Sequence, residues 1–290
     1  MTKQEFKNLR IRGPLILDGA TGSNLRNAGM PAGVCTEVWV NEHPETVIAL
    51  QREFVKAGSR MVTAPTFSAN RISLKNFGLE DQVKRLNMEN VKISREAVGK
   101  SALVAGNLST TSQPLEPFGT MTYERLLDVY REQICYLCEV GVDYLAAETL
   151  LSLDEAMVIC DAAAAECSLG LTLSFTCEGD GTLYFGGNIT EAAIVLQEMG
   201  ADAVGVNCSV GPDQLEAIVR NLKENLQIPV LVKPNAGIPK IDPQGNAHYD
   251  MDADTFAQQM KKLRDCGADI LGGCCGTTPE YIAKMCSSLG

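Results

Sequence analysis

In this 290-residue chain, three cysteines are the residues whose type and spacing most clearly indicate chemistry. They lie in two segments, one next to an asparagine and the other flanked by glycines. Cys274 and Cys275 are adjacent within Gly272-Gly273-Cys274-Cys275-Gly276, and Cys208 lies in Asn207-Cys208-Ser209. Cysteine thiolates are common zinc ligands, and three protein ligands leave the fourth position open, as in catalytic zinc sites. We therefore predict that Cys208, Cys274 and Cys275 bind one zinc ion.

The adjacency of two of these cysteines places a condition on the site. Neighbouring residues of a regular strand point to opposite faces, so Cys274 and Cys275 can share a metal only if the backbone turns sharply beside them. The flanking glycines allow such a turn. The alternatives for the pair are packing as small apolar side chains or a strained vicinal disulfide. The third cysteine, at a matching position, favours the metal.

The remaining cysteines do not indicate a disulfide framework. The chain has eleven cysteines, an odd number at irregular spacing, which favours a reducing cytoplasmic location. Cys135 and Cys138 form a C-x-x-C pair, but they lie late in a predicted helix and not at the helix N-terminus that would lower a thiol pKa. We interpret these two as core-packing residues.

Composition excludes several classes of function. The formal net charge of −11 argues against a nucleic-acid partner. The apolar runs have the length of strands, so no membrane span is expected, and the N-terminal residues lack the apolar stretch of a signal peptide. The two histidines, His43 and His248, lie in polar segments and leave little for a histidine zinc site or a Ser-His-Asp triad. Small molecules and proteins remain as partners.

Short apolar runs alternate along the chain with longer amphipathic segments. The short runs are typical of strands buried on both faces. They are Leu15–Leu17, Met61–Thr63, Leu103–Gly106, Tyr144–Ala147, Leu171–Phe175, Ala203–Val206, Val230–Val232 and Ile270–Gly272. The helical patterns are Glu45–Ala57, Tyr123–Val140, Asp154–Ala165, Glu191–Met199, Pro212–Asn225, Asp252–Cys266 and Pro279–Leu289.

This alternation predicts an α/β fold, a (β/α)₈ TIM barrel formed by a single domain over residues 1–290. A doubly wound open sheet is the alternative, but the segment "DGATGSN" matches the dinucleotide-binding G-x-G-x-x-G fingerprint poorly. In a barrel, active-site residues follow the carboxyl ends of the strands. Asp18, Glu148, Asn207 and Asn235 all occupy such positions. The cysteines follow predicted strands 6 and 8, which are close enough in a barrel for their ends to share one metal.

Six segments carry a resemblance to a known family. They are "LDGATGSN", "TAPTFSAN", "AAETLLSLDEA", "GVNCSVGPDQ", "VKPNAGIP" and "GGCCGTTPEYI". In this order they resemble the homocysteine S-methyltransferase family, most closely the homocysteine-binding module of cobalamin-dependent methionine synthase, from about residue 14 to 290. The resemblance implies a (β/α)₈ barrel with zinc on three cysteines that match Cys208, Cys274 and Cys275. Pro65 and the glycine-rich segment 176–188 depart from the familiar pattern.

The resemblance also implies roles for other residues. A thiol bound to zinc loses its proton and becomes a nucleophile without a general base. Glu148 matches the glutamate that contacts the amino group of homocysteine, and Asp18 is expected to assist it. Backbone N–H groups around Gly19, Ala20 and Thr21 are expected to hold the substrate carboxylate. Asn207 and Asn235, also counted as substrate-binding residues, are expected to orient loops and ligands.

The methyl donor is the least determined part of the prediction. A D-x-H-x-x-G cobalamin motif is absent from the sequence. Because "GGCCGTTP" resembles the methionine-synthase type more than the betaine type, we expect methylcobalamin carried by a separate corrinoid protein. The alternatives are S-methylmethionine or betaine as the donor, or a thiol other than homocysteine as the acceptor. Two different classes remain for comparison, a zinc hydrolase and a non-catalytic thiol-binding module.

Overall fold

Eight parallel strands form the centre of the fold in the computed structural model, which describes residues 3–9, 13–242 and 247–290. Their order in the sheet is β1, β10, β7, β6, β5, β4, β3, β2. The strands are β1 (Leu15–Ile16), β2 (Met61–Thr63), β3 (Leu103–Ser109), β4 (Tyr144–Leu150), β5 (Leu171–Phe175), β6 (Ala203–Asn207), β7 (Val230–Lys233) and β10 (Ile270–Leu271).

The two end strands of this sheet meet. Leu17 bridges Met61 in parallel fashion, and the Arg60 N–H donates to the Ile16 carbonyl at 2.8 Å. The sheet is thus closed into a barrel, whereas a doubly wound sheet would keep two open edges. The predicted (β/α)₈ barrel is confirmed.

Helices surround the barrel in the alternating order that the sequence predicts. They are α1 (Lys3–Leu9), α2 (Gly22–Asn27), α3 (Thr36–Glu42), α4 (Pro44–Ala57), α5 (Arg71–Lys75), α6 (Val83–Val98), α7 (Tyr123–Val140), α8 (Leu153–Glu166), α9 (Ile189–Glu198), α10 (Glu216–Asn225), α11 (Ala253–Asp265) and α12 (Pro279–Leu289). In the part of the chain that the structure describes, no helix combines the length and the apolar character that crossing a membrane requires.

Several elements differ from the predicted pattern. β3 and β4 each continue three residues beyond the predicted end, because the polar residues there interrupt the apolar run that marks a strand. The helix between β2 and β3, α6, was not predicted. A small antiparallel hairpin, β8 (Pro239–Ile241) and β9 (Ala247–Tyr249), follows β7 and lies outside the eightfold alternation.

The interior of the barrel is apolar near the beginnings of the strands. Phe6 of α1 is 1% exposed, and its ring stacks on Tyr144 with centroids 4.6 Å apart. It belongs to the cluster of Phe6, Leu15, Leu17, Met61, Ala105, Tyr144, Ala146, Ala203, Leu231 and Ile270. This cluster fills the amino-terminal half of the barrel, so the polar side chains that point inward gather at the carboxyl end.

Substitution of Phe6 by leucine tests this packing. We expect Phe6→Leu to lower the free energy of unfolding by about 1 kcal/mol, because the stacked aromatic pair is lost while most of the volume is kept. Phe118→Leu is the control, since Phe118 is 87% exposed and its replacement should change stability by less than about 0.5 kcal/mol. Urea unfolding of both variants measures the difference in the free energy of unfolding. Equal values would show that the packing of Phe6 in the barrel does not contribute to stability.

The cysteines outside the predicted metal site have mixed environments. All eleven cysteines lie among the described residues and are free thiols. Cys160 and Cys266 are buried, as helix-packing residues should be. The interpretation of Cys135 as a core residue is wrong, because its side chain is exposed, and Cys138 is only half-buried. Both lie on α7, and the face that carries Cys135 points away from the barrel.

Candidate active site

The three predicted zinc ligands come together at the carboxyl end of the barrel. Cys208 follows the last residue of β6, and Cys274 and Cys275 follow β10. Their Sγ atoms all lie within 4.8 Å of one another, and those of Cys208 and Cys275 are 3.6 Å apart. Two sulfurs bound to one tetrahedral zinc at about 2.3 Å are separated by roughly 3.8 Å. The arrangement of the sulfurs therefore fits one zinc ion.

The backbone conformation of both cysteine loops is unusual. Cys208 has a φ of 57°, in the left-handed region that residues with a side chain rarely adopt. Gly276 has a φ of 84°, and a Cβ there would lie 2.4 Å from the Tyr249 ring of the β8–β9 hairpin. Only glycine fits at this position. The predicted turn beside the cysteine pair is therefore present.

The segment that follows β7 ties the two cysteine loops together. The Cys274 N–H donates to the Pro234 carbonyl at 2.7 Å, and the Ala236 N–H donates to the Cys275 carbonyl at 2.9 Å. The Asn235 amide donates to the Cys208 carbonyl at 2.8 Å. Since one segment bonds to both loops, the spacing of the sulfurs is set by β7 as well as by β6 and β10.

The sulfurs interact electrostatically. Hydrogen bonds from the Cys208 and Cys274 thiols hold the pKa of Cys275 well below its ordinary value, and the Tyr249 hydroxyl adds a further donor. The pKa of Cys274 is raised because its thiol donates hydrogen bonds to Cys208 and Cys275 and because it is buried. The cluster thus favours one thiolate supported by two thiols, and a cation would allow the others to ionise.

A cavity of about 270 Å³ adjoins the cysteines. Its lining includes the three cysteines and four of the predicted substrate-binding residues, Gly19, Ala20, Thr21 and Glu148. Asp18, Asn207 and Asn235, which were also predicted to bind substrate, are not among the lining residues. The other lining residues are Gly22, Thr36, Glu37, Thr63, Ala64, Pro65, Phe67, Ser68, Asn107, Thr149, Lys233 and Gly273.

A buried lysine that was not predicted lies on the cavity wall. The Lys233 Nζ is 2.5 Å from Glu148 Oε1 and 3.3 Å from Asp18 Oδ1, and the lysine side chain is 4% exposed. Burial alone would lower the pKa of Lys233, but Glu148 and Asp18 outweigh it and raise the pKa above the usual value. The lysine is therefore charged, and the three groups together carry one net negative charge when both carboxylates are ionised.

Asp18 is fully engaged by protein groups. Its Oδ2 accepts hydrogen bonds from the Thr63 N–H at 2.7 Å and the Thr63 hydroxyl at 2.9 Å, while its Oδ1 faces Lys233. Burial raises the pKa of Asp18 although Lys233 opposes the shift. With 1% of the residue exposed, Asp18 serves to hold Lys233 and leaves Glu148 as the carboxylate on the cavity wall.

Asn207 connects the ends of two strands. Its Oδ1 accepts from the Thr149 N–H at 2.8 Å, and its Nδ2 donates to the Thr149 hydroxyl at 2.8 Å. Nδ2 also lies 3.9 Å from the Cys274 sulfur. Thr149 has a φ of 61°, so this pair of hydrogen bonds stabilises a strained turn directly after Glu148.

Comparison with known proteins agrees with this geometry. Residues 15–289 match the family model described as homocysteine S-methyltransferase. The chain belongs to the homocysteine S-methyltransferase family. The family predicted from the sequence is confirmed, and with it the methyltransferase class of enzyme.

Two curated relatives of this family member are methionine synthases. Those of Mycobacterium leprae (strain TN) and Mycobacterium tuberculosis (strain ATCC 25618 / H37Rv) are each 27% identical to it over 293 residues, which include 95% of this chain. The chain spans only about a quarter of their length, 24% in both cases.

Solved structures show the same fold. The homocysteine methyltransferase MmuM from Escherichia coli in its oxidised form matches with a TM-score of 0.78 and 23% identity, covering 94% of this chain and 95% of that one. Its metallated form matches with a TM-score of 0.77 and 23% identity, covering 94% and 96%.

The turn after β1 of this homocysteine S-methyltransferase family member is linked to the cysteine loop. The Ala20 N–H donates to the Thr277 hydroxyl at 3.1 Å, and that hydroxyl donates to the Cys274 carbonyl at 2.7 Å. The Ala20 N–H is therefore engaged, unlike the free anion-binding group that the sequence predicts. These two hydrogen bonds connect the turn to the loop that carries Cys274.

Among the cavity-lining residues that the sequence-based reasoning missed, Lys233 and Asn107 are bonded to the Glu148 carboxylate. Lys233 ends the otherwise apolar strand "VLVK", and a lysine in a strand buried on both faces requires a charged partner. That signal was available in the sequence, but the identity of the partners was not. Asn107 lies within β3, beyond the predicted end of that strand.

Proposed function

We propose that this chain transfers a methyl group to the thiol of homocysteine to form methionine, with zinc held by Cys208, Cys274 and Cys275. The supporting observation is a three-sulfur cluster on the wall of a cavity that is also lined by Glu148 and Lys233, with Asp18 bonded to Lys233 behind the wall. Homocysteine has a thiol at one end and an ammonium and a carboxylate at the other. The sulfurs and the Glu148 carboxylate on the cavity wall are complementary to the thiol and the ammonium.

Different residues of the chain bind the different groups of the substrate. Zinc on three thiolates supplies Lewis acidity, which lowers the pKa of a thiol so that it is available as a thiolate at neutral pH. Glu148 binds the ammonium group, and Lys233 and Asp18 hold Glu148 in place. Because the Ala20 N–H is already bonded to Thr277, the backbone N–H groups of Gly19 and Thr21 bind the carboxylate. The substrate is thereby oriented with its sulfur toward the cysteines and its methyl-accepting lone pair toward the mouth.

Replacement of Glu148 by glutamine tests the ammonium contact. The Asp18–Lys233 pair that remains is neutral, so this group of three charged side chains loses its net negative charge. We expect Glu148→Gln to raise KM for homocysteine by roughly 10- to 100-fold, as for a lost hydrogen bond between charged groups. Zinc content should stay the same. Steady-state kinetics with metal analysis measures both, and an unchanged KM would show that Glu148 does not bind the amino group.

Six exposed apolar side chains lie in segments that follow the strands, at the carboxyl end of the barrel where the cavity is found. They lie in the loops after β1, β2, β3, β5 and β7 and are Val34, Phe67, Phe118, Tyr184, Phe185 and Ile238. Exposed large apolar side chains around one opening are typical of a binding surface. They support a bulky donor presented from outside the barrel, and we propose methylcobalamin carried by a separate corrinoid protein.

The deciding experiment supplies zinc-loaded protein and homocysteine with one donor at a time. The donors are free methylcobalamin, S-methylmethionine, betaine and methyltetrahydrofolate, and methionine is the product measured. Turnover with methylcobalamin alone supports the corrinoid route, whereas turnover with S-methylmethionine or betaine and none with methylcobalamin contradicts it. Binding of homocysteine without turnover with any donor would indicate a thiol-binding module. Other thiols in place of homocysteine determine acceptor specificity.

We further propose that residues 1–290 form one homocysteine-binding domain and that the protein works in the cytoplasm. Within the described residues, the barrel extends from Leu15 of β1 to Leu289 of α12 without a second core of comparable size, and the free thiols there are compatible with a reducing compartment.

A further inference from the structure

Asn107 has a buried hydrogen-bond acceptor that no protein group uses. It lies on β3, it is 6% exposed and it lines the cavity. Its Nδ2 donates to Glu148 Oε2 at 3.2 Å. Because an ionised carboxylate can only accept hydrogen bonds, this contact determines which end of the amide faces Glu148. The other end, Oδ1, has no hydrogen-bond partner among the described residues.

The position of Asn107 Oδ1 distinguishes it from the other buried side-chain atoms that lack a hydrogen-bond partner. Several other buried side-chain atoms lack partners, including Oγ of Ser174 and Oδ1 of Asn235. Within residues 3–9, 13–242 and 247–290, however, Asn107 is the only residue that both carries such an atom and lines the cavity. Buried polar atoms in proteins are normally satisfied, so an unsatisfied acceptor on a residue that lines the cavity indicates a donor on the ligand.

The surroundings of Glu148 point to the kind of donor. Lys233 occupies Oε1, so Oε2 and the neighbouring Asn107 Oδ1 form the remaining pair of acceptors. An ammonium group has three N–H donors and no acceptor, which matches a carboxylate and an amide oxygen side by side. The Asn107 backbone is fixed independently, since its N–H and carbonyl both bond to the Thr66 hydroxyl, at 3.0 and 2.8 Å.

We propose that Asn107 Oδ1 accepts a hydrogen bond directly from the ammonium group of the acceptor substrate. Asn107 and Glu148 together then select a thiol that carries an amino group. This inference rests on the proposed function. It adds Asn107 to the substrate-binding residues and a preference for thiols that carry an amino group.

The test compares two acceptors that differ only in the amino group. Homocysteine and 4-mercaptobutyrate have the same thiol, chain length and carboxylate. Asn107→Leu removes the amide at similar volume and should raise KM and the dissociation constant for homocysteine roughly 10- to 100-fold. It should change those for 4-mercaptobutyrate by less than about threefold and leave the zinc content unchanged. Asn107→Ala makes the same comparison if leucine prevents folding, and Ser174→Ala is the control with another unpartnered buried atom.

Equal losses for both acceptors, or no loss for homocysteine, would overturn the proposal. A double substitution separates direct contact from support of Glu148. In a Glu148→Gln protein, Asn107→Leu should weaken homocysteine binding further if Oδ1 contacts the ammonium, and a lack of further weakening contradicts the direct contact. The wild-type rate with homocysteine tests the proposed function separately, because the dissociation constants, measured by calorimetry, do not depend on turnover.

Discussion

Cys208→Ser protein is expected to lose its zinc and nearly all methyl transfer. A serine hydroxyl stays protonated at neutral pH and cannot replace a thiolate ligand. Changing an outer-shell partner of a metal commonly costs 10- to 100-fold in affinity or activity, so the loss of a ligand should exceed about 100-fold. The fold should persist, because the apolar clusters that form the barrel core do not include the three cysteines.

Metal analysis of purified protein, methyl-transfer rates and far-ultraviolet circular dichroism measure these effects. The wild type should contain one zinc per chain. Cys135→Ser is the matched control, since Cys135 is exposed on α7 and its replacement should change neither zinc content nor rate. Full zinc retention in Cys208→Ser would show that the cluster is not the metal site.

Lys233→Met should have the largest effect on stability. The substitution keeps the length of the side chain but leaves Asp18 and Glu148 without their shared cation, 1% and 9% exposed. Breaking a buried ion pair from one side typically costs about 3–5 kcal/mol. Lys284→Met is the control, because Lys284 pairs with Asp254 on the surface and such pairs contribute about 0–1 kcal/mol. Urea unfolding at pH 7.5 compares the two variants.

The deficit of Lys233→Met should depend on pH. Burial already raises the pKa of Asp18 in the presence of Lys233, which opposes the shift, so removal of the lysine raises that pKa further. A carboxyl whose folded-state pKa is raised binds its proton more tightly in the folded protein, and stability is lost as pH rises through that pKa. The variant should therefore recover part of its deficit at pH 5. If the loss of stability is the same at pH 7.5 and pH 5, protonation of the buried carboxyl is not the cause.

The order of elements and the three cysteines could be predicted from local sequence. A strand buried on both faces is a short apolar run, and a helix that packs against the barrel is amphipathic. Both therefore have a pattern that can be recognised in the sequence. Turn glycines such as Gly276 are equally local, because a positive φ strongly favours glycine over residues with a side chain. α6 was missed, and β3 and β4 were predicted too short, since polar residues that face the site interrupt the apolar pattern.

The charge network of the cavity was decided by tertiary structure. Asp18 and Lys233 are 215 positions apart in the sequence, and Lys233 and Glu148 are 85 apart. The sequence places each at the end of a strand, but which charges meet depends on closure of the barrel and on the direction each side chain takes at the strand end. The same holds for Asn107, whose free oxygen is recognisable only once its nitrogen is seen to bond Glu148. Sequence patterns indicate whether a residue is buried. Only the tertiary structure determines which partner forms the hydrogen bond or ion pair of a buried polar group.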